Sequence, residues 1–310
     1  MDKELHNQDF LGLFYNAIVS RDVFSIAGIE IPDQDFLEAT SVFTDPLLYF
    51  ADGMDAILGL APDASTSPAS LNGPLTNMFN RGLLDRNVVS IMLGRKVWDD
   101  IDGARLINGE LMFGGINEDL LQPNTTMKFL SMSNKTDMPN TPYPRPLCNG
   151  TWQVTAQAVS MTWFNETSGE NQTERVDLAD TWTARLDTIQ MFVTVPERID
   201  TILTKLADPM RIPNFYPFID CRDRARLPNL VFTLGAGEEA HEFELTPYDY
   251  TVESDVLGLA GQCLWAVGRG YNGYDESEVL ELGSAFMRAF YVVLDSGSRK
   301  IGLGTPSTSR

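Results

Sequence analysis

Short runs of alternating or β-branched residues, separated by Gly, Asn, Asp and Pro, recur along the whole chain of 310 residues. Runs of this length between turn-forming residues are typical of strands, and they predict strands at 26–31, 111–113, 153–163, 191–195 and 230–234. Helical periodicity is convincing only at 74–82 and 196–206, where a proline begins each segment. Many short strands with few helices predict an all-β fold of the barrel or sandwich type.

Composition narrows the class of protein. A hydrophobic fraction of 43% is typical of a globular chain, and 310 residues are enough for two cores. The net charge of −20 argues against a nucleic-acid partner, because phosphate binding needs clustered Lys and Arg. The chain has no apolar run of the roughly 18 residues that a membrane span requires. The excess of acidic residues favours an acidic compartment, where protonation relieves charge repulsion. Surface carboxylates that only keep the protein soluble would explain the net charge equally well.

The signals for cellular location disagree. The first nine residues are polar and contain no signal-peptide core, which by itself indicates the cytosol. Against this, five Asn-x-Ser/Thr sequons fall within about fifty residues and indicate a glycosylated protein of the secretory pathway. They begin at Asn124, Asn134, Asn149, Asn165 and Asn171. If they are used, the signal peptide is missing from this sequence. The alternative is a chance cluster in an Asn- and Thr-rich region.

The three cysteines leave two interpretations open. Cys221 and Cys263 bracket a segment with strand and turn signals, whereas Cys148 lies apart in a proline-rich stretch. A bridge between the first two would close a loop of some forty residues and contribute about 4 kcal/mol. The alternative is a pair of reduced, buried thiols. An odd cysteine in a secreted protein indicates a missing partner.

A short pattern occurs twice. At 55–62 and again at 280–283, apolar residues lie directly before a glycine and then a helix start, as a duplicated lobe would show. The segment 122–151 between them is rich in Pro, Asn and Thr. We therefore expect one lobe at 1–117, a connection at 118–150 and a second lobe at 151–310. The alternative is a long surface loop inside one domain.

Several ordered strings resemble the pepsin-like aspartic peptidases. They are Asp-Ala-Ile-Leu-Gly-Leu at 55–60, Gly-Glu-Leu-Met-Phe-Gly-Gly-Ile-Asn at 109–117, and Leu-Gly, Phe-Met-Arg and Tyr-Val-Val-Leu-Asp within 280–295. The resemblance implies a bilobal fold of two β-barrel-like lobes, with an incomplete N-terminal lobe. It also implies a Cys221–Cys263 disulfide, because both cysteines follow the family's order in the second lobe, and it leaves Cys148 unpaired.

The same resemblance implies acid hydrolysis of peptide bonds by two aspartates. Each lobe of such enzymes contributes an Asp-Thr/Ser-Gly loop, and the two carboxyls share one proton because both cannot ionise at close range. Here 183–196 resembles the second of these segments, with Asp187 at the catalytic aspartate and Thr188 at the supporting threonine. Ile189 replaces the glycine. Gln190 and Met191 replace the hydroxyl residues that follow it.

The first half departs further from the family. Residues 18–28 resemble the strand after the substrate-covering flap, so we expect the first Asp-Thr-Gly and the flap to be absent, and Tyr15 is not a flap tyrosine. Asp295-Ser296-Gly297 spells the catalytic tripeptide, but it lies where the family has a hairpin turn, which Gly and Ser favour. We therefore expect an aspartic endopeptidase relative that is inactive in this form. The alternative is a non-catalytic homologue that uses its cleft as a binding scaffold.

The resemblance also sets expectations about partners. It implies a peptide or protein ligand in the inter-lobe cleft, a monomer, and a secreted or vacuolar/lysosomal location. We expect no cofactor and no metal, because His6 and His241 are far apart in sequence and lack the spacing of metal ligands.

Overall fold

The computed structural model describes most of the chain, and strands dominate it as the punctuated runs predict. The described residues are 4–10, 13–43, 56–62, 71–99, 103–133, 151–165, 167–188, 190–211, 217–253, 261–269 and 278–307. The strands are β1 (Glu4–Phe10), β2 (Leu13–Ile26), β3 (Ile29–Phe43), β4 (Val88–Met92), β5 (Arg95–Asp99), β6 (Gly103–Ile107), β7 (Glu110–Phe113), β8 (Lys128–Ser131), β9 (Gln153–Asn165), β10 (Glu170–Asp177), β11 (Thr183–Leu186), β12 (Val193–Thr194), β13 (Phe218–Asp220), β14 (Asn229–Leu234), β15 (His241–Leu245), β16 (Thr251–Glu253), β17 (Gln262–Trp265), β18 (Val267–Gly268), β19 (Val279–Leu282), β20 (Tyr291–Asp295) and β21 (Lys300–Gly304). The helices are α1 (Pro74–Asn80), α2 (Glu197–Ala207), α3 (Pro247–Tyr250) and α4 (Ser284–Met287). Within these ranges, none of the helices has the length and apolar character needed to cross a bilayer.

One predicted strand was wrong. Residues 26–31 are not a single strand, because β2 ends at Ile26 and β3 begins at Ile29. Ala27 and Gly28 between them have φ angles of 51° and 79°. Two successive left-handed residues form the two-residue turn that matches the twist of an antiparallel hairpin. The β-branched residues on either side therefore belong to two paired strands.

The second half is built on an eight-stranded sheet. Its strands follow the order β15-β14-β9-β11-β19-β12-β18, and β10 pairs with β9. Alternate residues on β14 and β15 point to the core, as the period of two requires. These inward residues, Leu230, Phe232, Leu234, Phe243 and Leu245, are almost fully buried.

Helix α4 and the residues that follow it lie against this sheet through two aromatic side chains. Phe286 meets Phe232 edge to face with 5.7 Å between ring centroids, and Phe290 meets Phe243 in the same way at 5.6 Å. Phe286 and Phe290 also contact each other at 4.9 Å. Edge-to-face pairs of this kind add to the stabilisation from apolar burial. The Phe-Met-Arg-Ala-Phe segment thus holds the end of β19 in place.

A second sheet combines strands from both halves of the chain. Its order is β7-β4-β20-β21-β8, and β8 lies inside the segment 118–150. Glu239, in the loop between β14 and β15, connects the two sheets. Its carboxylate accepts hydrogen bonds from Lys300 Nζ and from the Ser131 backbone amide, both at 2.8 Å. These contacts, the one from Lys300 above all, lower the pKa of Glu239 to about 2.

A small sheet, β13-β17-β16, contains the disulfide. Cys221 and Cys263 are bonded, with their Cα atoms 5.1 Å apart, which is the pairing that the family resemblance implied. Arg224 is buried beside it and donates to Glu253 at 2.9 Å and to the Cys221 carbonyl at 3.1 Å. Its guanidinium carbon lies 4.8 Å from the centre of the Tyr248 ring. These contacts satisfy the charge of a cation that burial would otherwise penalise.

Candidate active site

The candidate site lies where three strands of the large sheet meet. β11 runs parallel to β19, with Leu186 opposite Leu282. β12 pairs with the other edge of β19, where Val193 lies opposite Leu282. The strands before and after the loop 187–192 are therefore separated by β19. The loop must cross the end of that strand, and Asp187 directly follows β11 at the start of the crossing.

Backbone hydrogen bonds hold the crossing loop against the start of α4. Three successive amides donate to the loop: Gly283 to the Phe192 carbonyl at 2.9 Å, Ser284 to Gln190 at 2.6 Å, and Ala285 to Met191 at 3.1 Å. At the other end of the loop, the Asp187 amide donates to the Leu282 carbonyl at 3.3 Å. The loop backbone is thus fixed by groups that any residue possesses, whatever the side chains at 189–191.

Gly283 is required for this close approach. A Cβ atom at this position would lie 2.4 Å from the Phe192 carbonyl oxygen and 2.5 Å from that of Gln190. These neighbours are backbone atoms, which cannot rotate away as a flexible side chain can. The glycine that follows Leu282 therefore has a steric explanation, since only glycine lets the loop lie directly over the end of β19.

The side chains of the loop offer limited chemistry. Asp187 is half-buried and Thr188 is exposed, while Ile189 lies outside the described residues. Gln190 and Met191 are half-buried and carry no hydroxyl group. The loop thus presents one carboxyl and one hydroxyl group. A single carboxyl group cannot act as general acid and general base in the same step.

An ion pair that sequence reasoning missed lies in β11 and β19, close in sequence to Asp187. Arg185 lies within β11, two residues before Asp187. The Arg185 guanidinium donates through Nε to Glu281 at 3.0 Å and through Nη2 to the other carboxylate oxygen. Arg185 is only 8% exposed, whereas Glu281 is half-buried, so the guanidinium is the more desolvated partner. The sequence feature that could have revealed this ion pair is the presence of Arg185 and Glu281 in strands whose other residues are apolar or small.

The other predicted residues lie away from this loop. Asp295, Ser296 and Gly297 begin the turn between β20 and β21, which confirms that the tripeptide is a hairpin turn. The Asp295 carboxylate accepts the Ser298 amide at 2.9 Å and so closes this turn.

Three of the five sequons begin at residues that the structure describes. Asn124 is exposed in a turn with φ of 64°, and Asn171 is exposed on β10. Asn165 is half-buried at the tip of the β9–β10 hairpin. The remaining candidates, Asn134, Asn149 and Cys148, lie outside the described residues, as does Asp55 of the first string.

Comparison with known proteins identifies the family to which the chain belongs. The eukaryotic aspartyl protease family matches residues 12–306, which is nearly the whole chain. The chain belongs to this family. The crystal structure of an aspartic proteinase from Irpex lacteus superimposes with a TM-score of 0.71, covering 99% of this chain and 82% of that one. At 17% identity, this match shows the shared bilobal fold alone.

The curated relatives are longer than this chain. It is 29% identical over 286 residues to a vacuolar aspartic protease of Candida albicans, and 30% identical over 295 residues to vacuolar protease A of Aspergillus fumigatus. It is also 26% identical to cathepsin D of Dictyostelium discoideum over 293 residues. These alignments include 92%, 93% and 94% of the chain but 58%, 61% and 65% of the relatives. The chain thus spans about three fifths of the length of the relatives it matches.

Proposed function

We propose that the 310-residue chain is a pepsin-like homologue that does not itself hydrolyse peptide bonds. The observation that carries this proposal is the loop at 187–192, which is held by backbone hydrogen bonds from Gly283 and the start of α4 and presents a single carboxyl group. Ile189 occupies the place where the family has the glycine of its catalytic loop. A β-branched residue resists the tight turn that glycine allows under a carboxylate.

The chemistry of the dyad supports the same proposal. The family reaction needs one ionised carboxylate to activate water and one protonated carboxyl to polarise the scissile carbonyl. Asp187 can supply one of these two groups. The one Asp-Ser-Gly tripeptide in the printed sequence, at 295–297, forms the β20–β21 turn, and the sequence contains no Asp-Thr-Gly.

The proposed role is that of a binding scaffold in an acidic compartment. The cleft between a first lobe at 1–117 and a second at 151–310 would receive an extended peptide or protein segment, with 118–150 as the connection. Two relatives are named as vacuolar proteases, and together with the five sequons they support entry into the secretory pathway and a vacuolar location. We propose that the chain acts as a monomer.

The activity test uses the purified 310-residue chain and an acid-denatured protein substrate between pH 3 and pH 6. We expect no cleavage above the rate of a matched Asp187→Asn variant, and no retention by a pepstatin-type inhibitor. Ile189→Gly combined with Gln190→Thr should not restore activity, because general acid and general base would still reside in one group. Cleavage that disappears in Asp187→Asn would show instead that the chain is a working endopeptidase.

The binding role has its own test. The unmodified chain and the Asp187→Asn variant are each titrated at pH 5 with a library of extended peptides, and binding is read by fluorescence anisotropy. We expect both proteins to bind the same peptides with similar affinity, because a scaffold does not need the aspartate. If neither protein binds any of the peptides, the proposed scaffold role is wrong.

A further inference from the structure

An exposed aromatic side chain lies near the tip of the β9–β10 hairpin. Phe164 is 59% exposed, whereas its neighbour Trp163 points to the opposite face and packs against the core. The residues that precede Phe164 on its face of β9 are Thr162 and Ser160, which are polar as expected for a solvated sheet surface. A phenylalanine in this row leaves a large apolar surface facing water.

Asn171 is the direct cross-strand partner of Phe164. The register of the hairpin places the two residues opposite each other, so both side chains leave the same face of the sheet. Directly opposite residues have Cβ atoms roughly 5 Å apart. Asn171 is exposed and begins the sequon Asn171-Gln172-Thr173. An acceptor for N-glycosylation and an uncovered aromatic ring are therefore immediate neighbours.

The other described sequons lack this arrangement. The Asn165 side-chain oxygen accepts the amides of Thr167 at 2.9 Å and Ser168 at 3.4 Å, so this residue closes the hairpin turn. Asn124 lies in a turn in which the Thr125 amide donates to Gln122 at 3.2 Å. Asn165 lies opposite the charged residue Glu170, and Asn124 lies in a turn between strands, so neither asparagine has an aromatic cross-strand partner.

We propose that Asn171 carries an N-linked glycan and that its first N-acetylglucosamine packs over the Phe164 ring. The C–H groups on one face of the sugar would cover the apolar ring, while the hydroxyl groups remain in water. The inference rests on the proposed entry into the secretory pathway. It identifies one of the five sequons as a structural modification site and explains the exposed aromatic residue beside it.

The chemical step is a transfer from a lipid-diphosphate-linked oligosaccharide. The Asn171 side-chain nitrogen forms a bond to C1 of the first sugar, the bond from C1 to the diphosphate oxygen breaks, and the nitrogen loses one proton. In the folded hairpin, the Thr173 hydroxyl lies 2.9 Å from that of Thr162 and the strand backbone is paired. Transfer therefore precedes the pairing of β9 with β10.

The first experiment produces the 310-residue chain behind a host signal peptide in a eukaryotic secretory host. Because the host peptide forces entry, the outcome depends neither on the natural location of the chain nor on whether it cleaves peptides. The glycans are removed by a glycosidase in heavy-oxygen water. Mass spectrometry then measures, for each sequon, the fraction of molecules whose asparagine had carried a glycan. We expect Asn171 to be occupied in most molecules, and an unoccupied Asn171 would overturn the proposal.

The second experiment measures the coupling between the glycan and the ring. We expect Asn171→Gln to lower the melting temperature by about 2 °C, and to have no effect in a Phe164→Thr background. As a matched control, Asn124→Gln should change the melting temperature equally in both backgrounds. An Asn171→Gln effect of the same size with and without Phe164 would overturn the proposal.

A glycosidase comparison tests the first sugar without any substitution. Endoglycosidase H, which leaves one N-acetylglucosamine on the asparagine, should preserve the melting temperature of the folded protein. Complete removal with peptide-N-glycosidase F should lower the melting temperature more in the chain that has Phe164 than in the Phe164→Thr variant. Equal losses after the two enzymes would show that the first sugar does not stabilise the hairpin.

Discussion

Replacing Gly283 with alanine tests whether the end of β19 holds the loop at 187–192. Gly283 has φ of −72°, which alanine adopts without strain, so any cost must come from contacts. The new Cβ would lie 2.4 Å and 2.5 Å from two carbonyl oxygens, roughly 1 Å closer than ordinary contact allows. Either the loop or the start of α4 must therefore move.

The expected cost follows from the bonds that such a movement breaks. Three backbone hydrogen bonds join the loop to residues 283–285, and each contributes about 1 kcal/mol net. If the loop stays in place instead, overpacking of a filled interior costs roughly 1–3 kcal/mol. The two routes together predict a loss of roughly 1–3 kcal/mol in the free energy of unfolding.

Urea unfolding followed by tryptophan fluorescence measures this loss, since Trp152 and Trp265 are buried in the folded chain. Gly59→Ala is the matched control, because Gly59 also follows an apolar pair but no described atom lies within 4 Å of an added Cβ. Its stability should change by about 0.5 kcal/mol or less. Equal stabilities of the two variants would refute the steric role of Gly283.

Three further predictions concern charge and the disulfide. Glu239→Gln should lower the melting temperature at pH 6, and the difference should fade from pH 4.5 towards 2, because the folded pKa is about 2 and the usual value is 4.5. Burial raises the pKa of Asp200, so its charged form destabilises the fold once the pH exceeds the usual value near 3.8. Asp200→Asn should therefore raise the melting temperature at pH 7 and leave it unchanged at pH 3. Replacing Cys221 and Cys263 together with serine should cost about 4 kcal/mol in urea unfolding, since the bridge spans 42 residues.

Local signals in the sequence predicted much of the architecture. Helix α2 was expected at 196–206 and occupies Glu197–Ala207, because its apolar repeat and initial proline are properties of adjacent residues. The turn at 295–297 was recognised for the same reason. The run at 26–31 was misread as one strand because β-branched residues favour strands on both sides of a hairpin. Only the left-handed backbone of Ala27 and Gly28 reveals the turn between them.

For the candidate site, too, some features follow from the sequence and others only from the tertiary structure. The sequence by itself determined the class of fold, and it led to the hypothesis that Asp187 stands at a catalytic position and is followed by Ile189, Gln190 and Met191 in place of glycine and hydroxyl residues, since each of these is a matter of residue identity and order. Tertiary structure alone decided that β19 lies between β11 and β12, that Arg185 pairs with Glu281, and that Phe164 faces Asn171. The first two contacts join residues nearly one hundred positions apart, and their partners are set by strand order and register. A shift of one residue would turn every side chain to the other face of the sheet, so such contacts form only when the whole sheet is assembled.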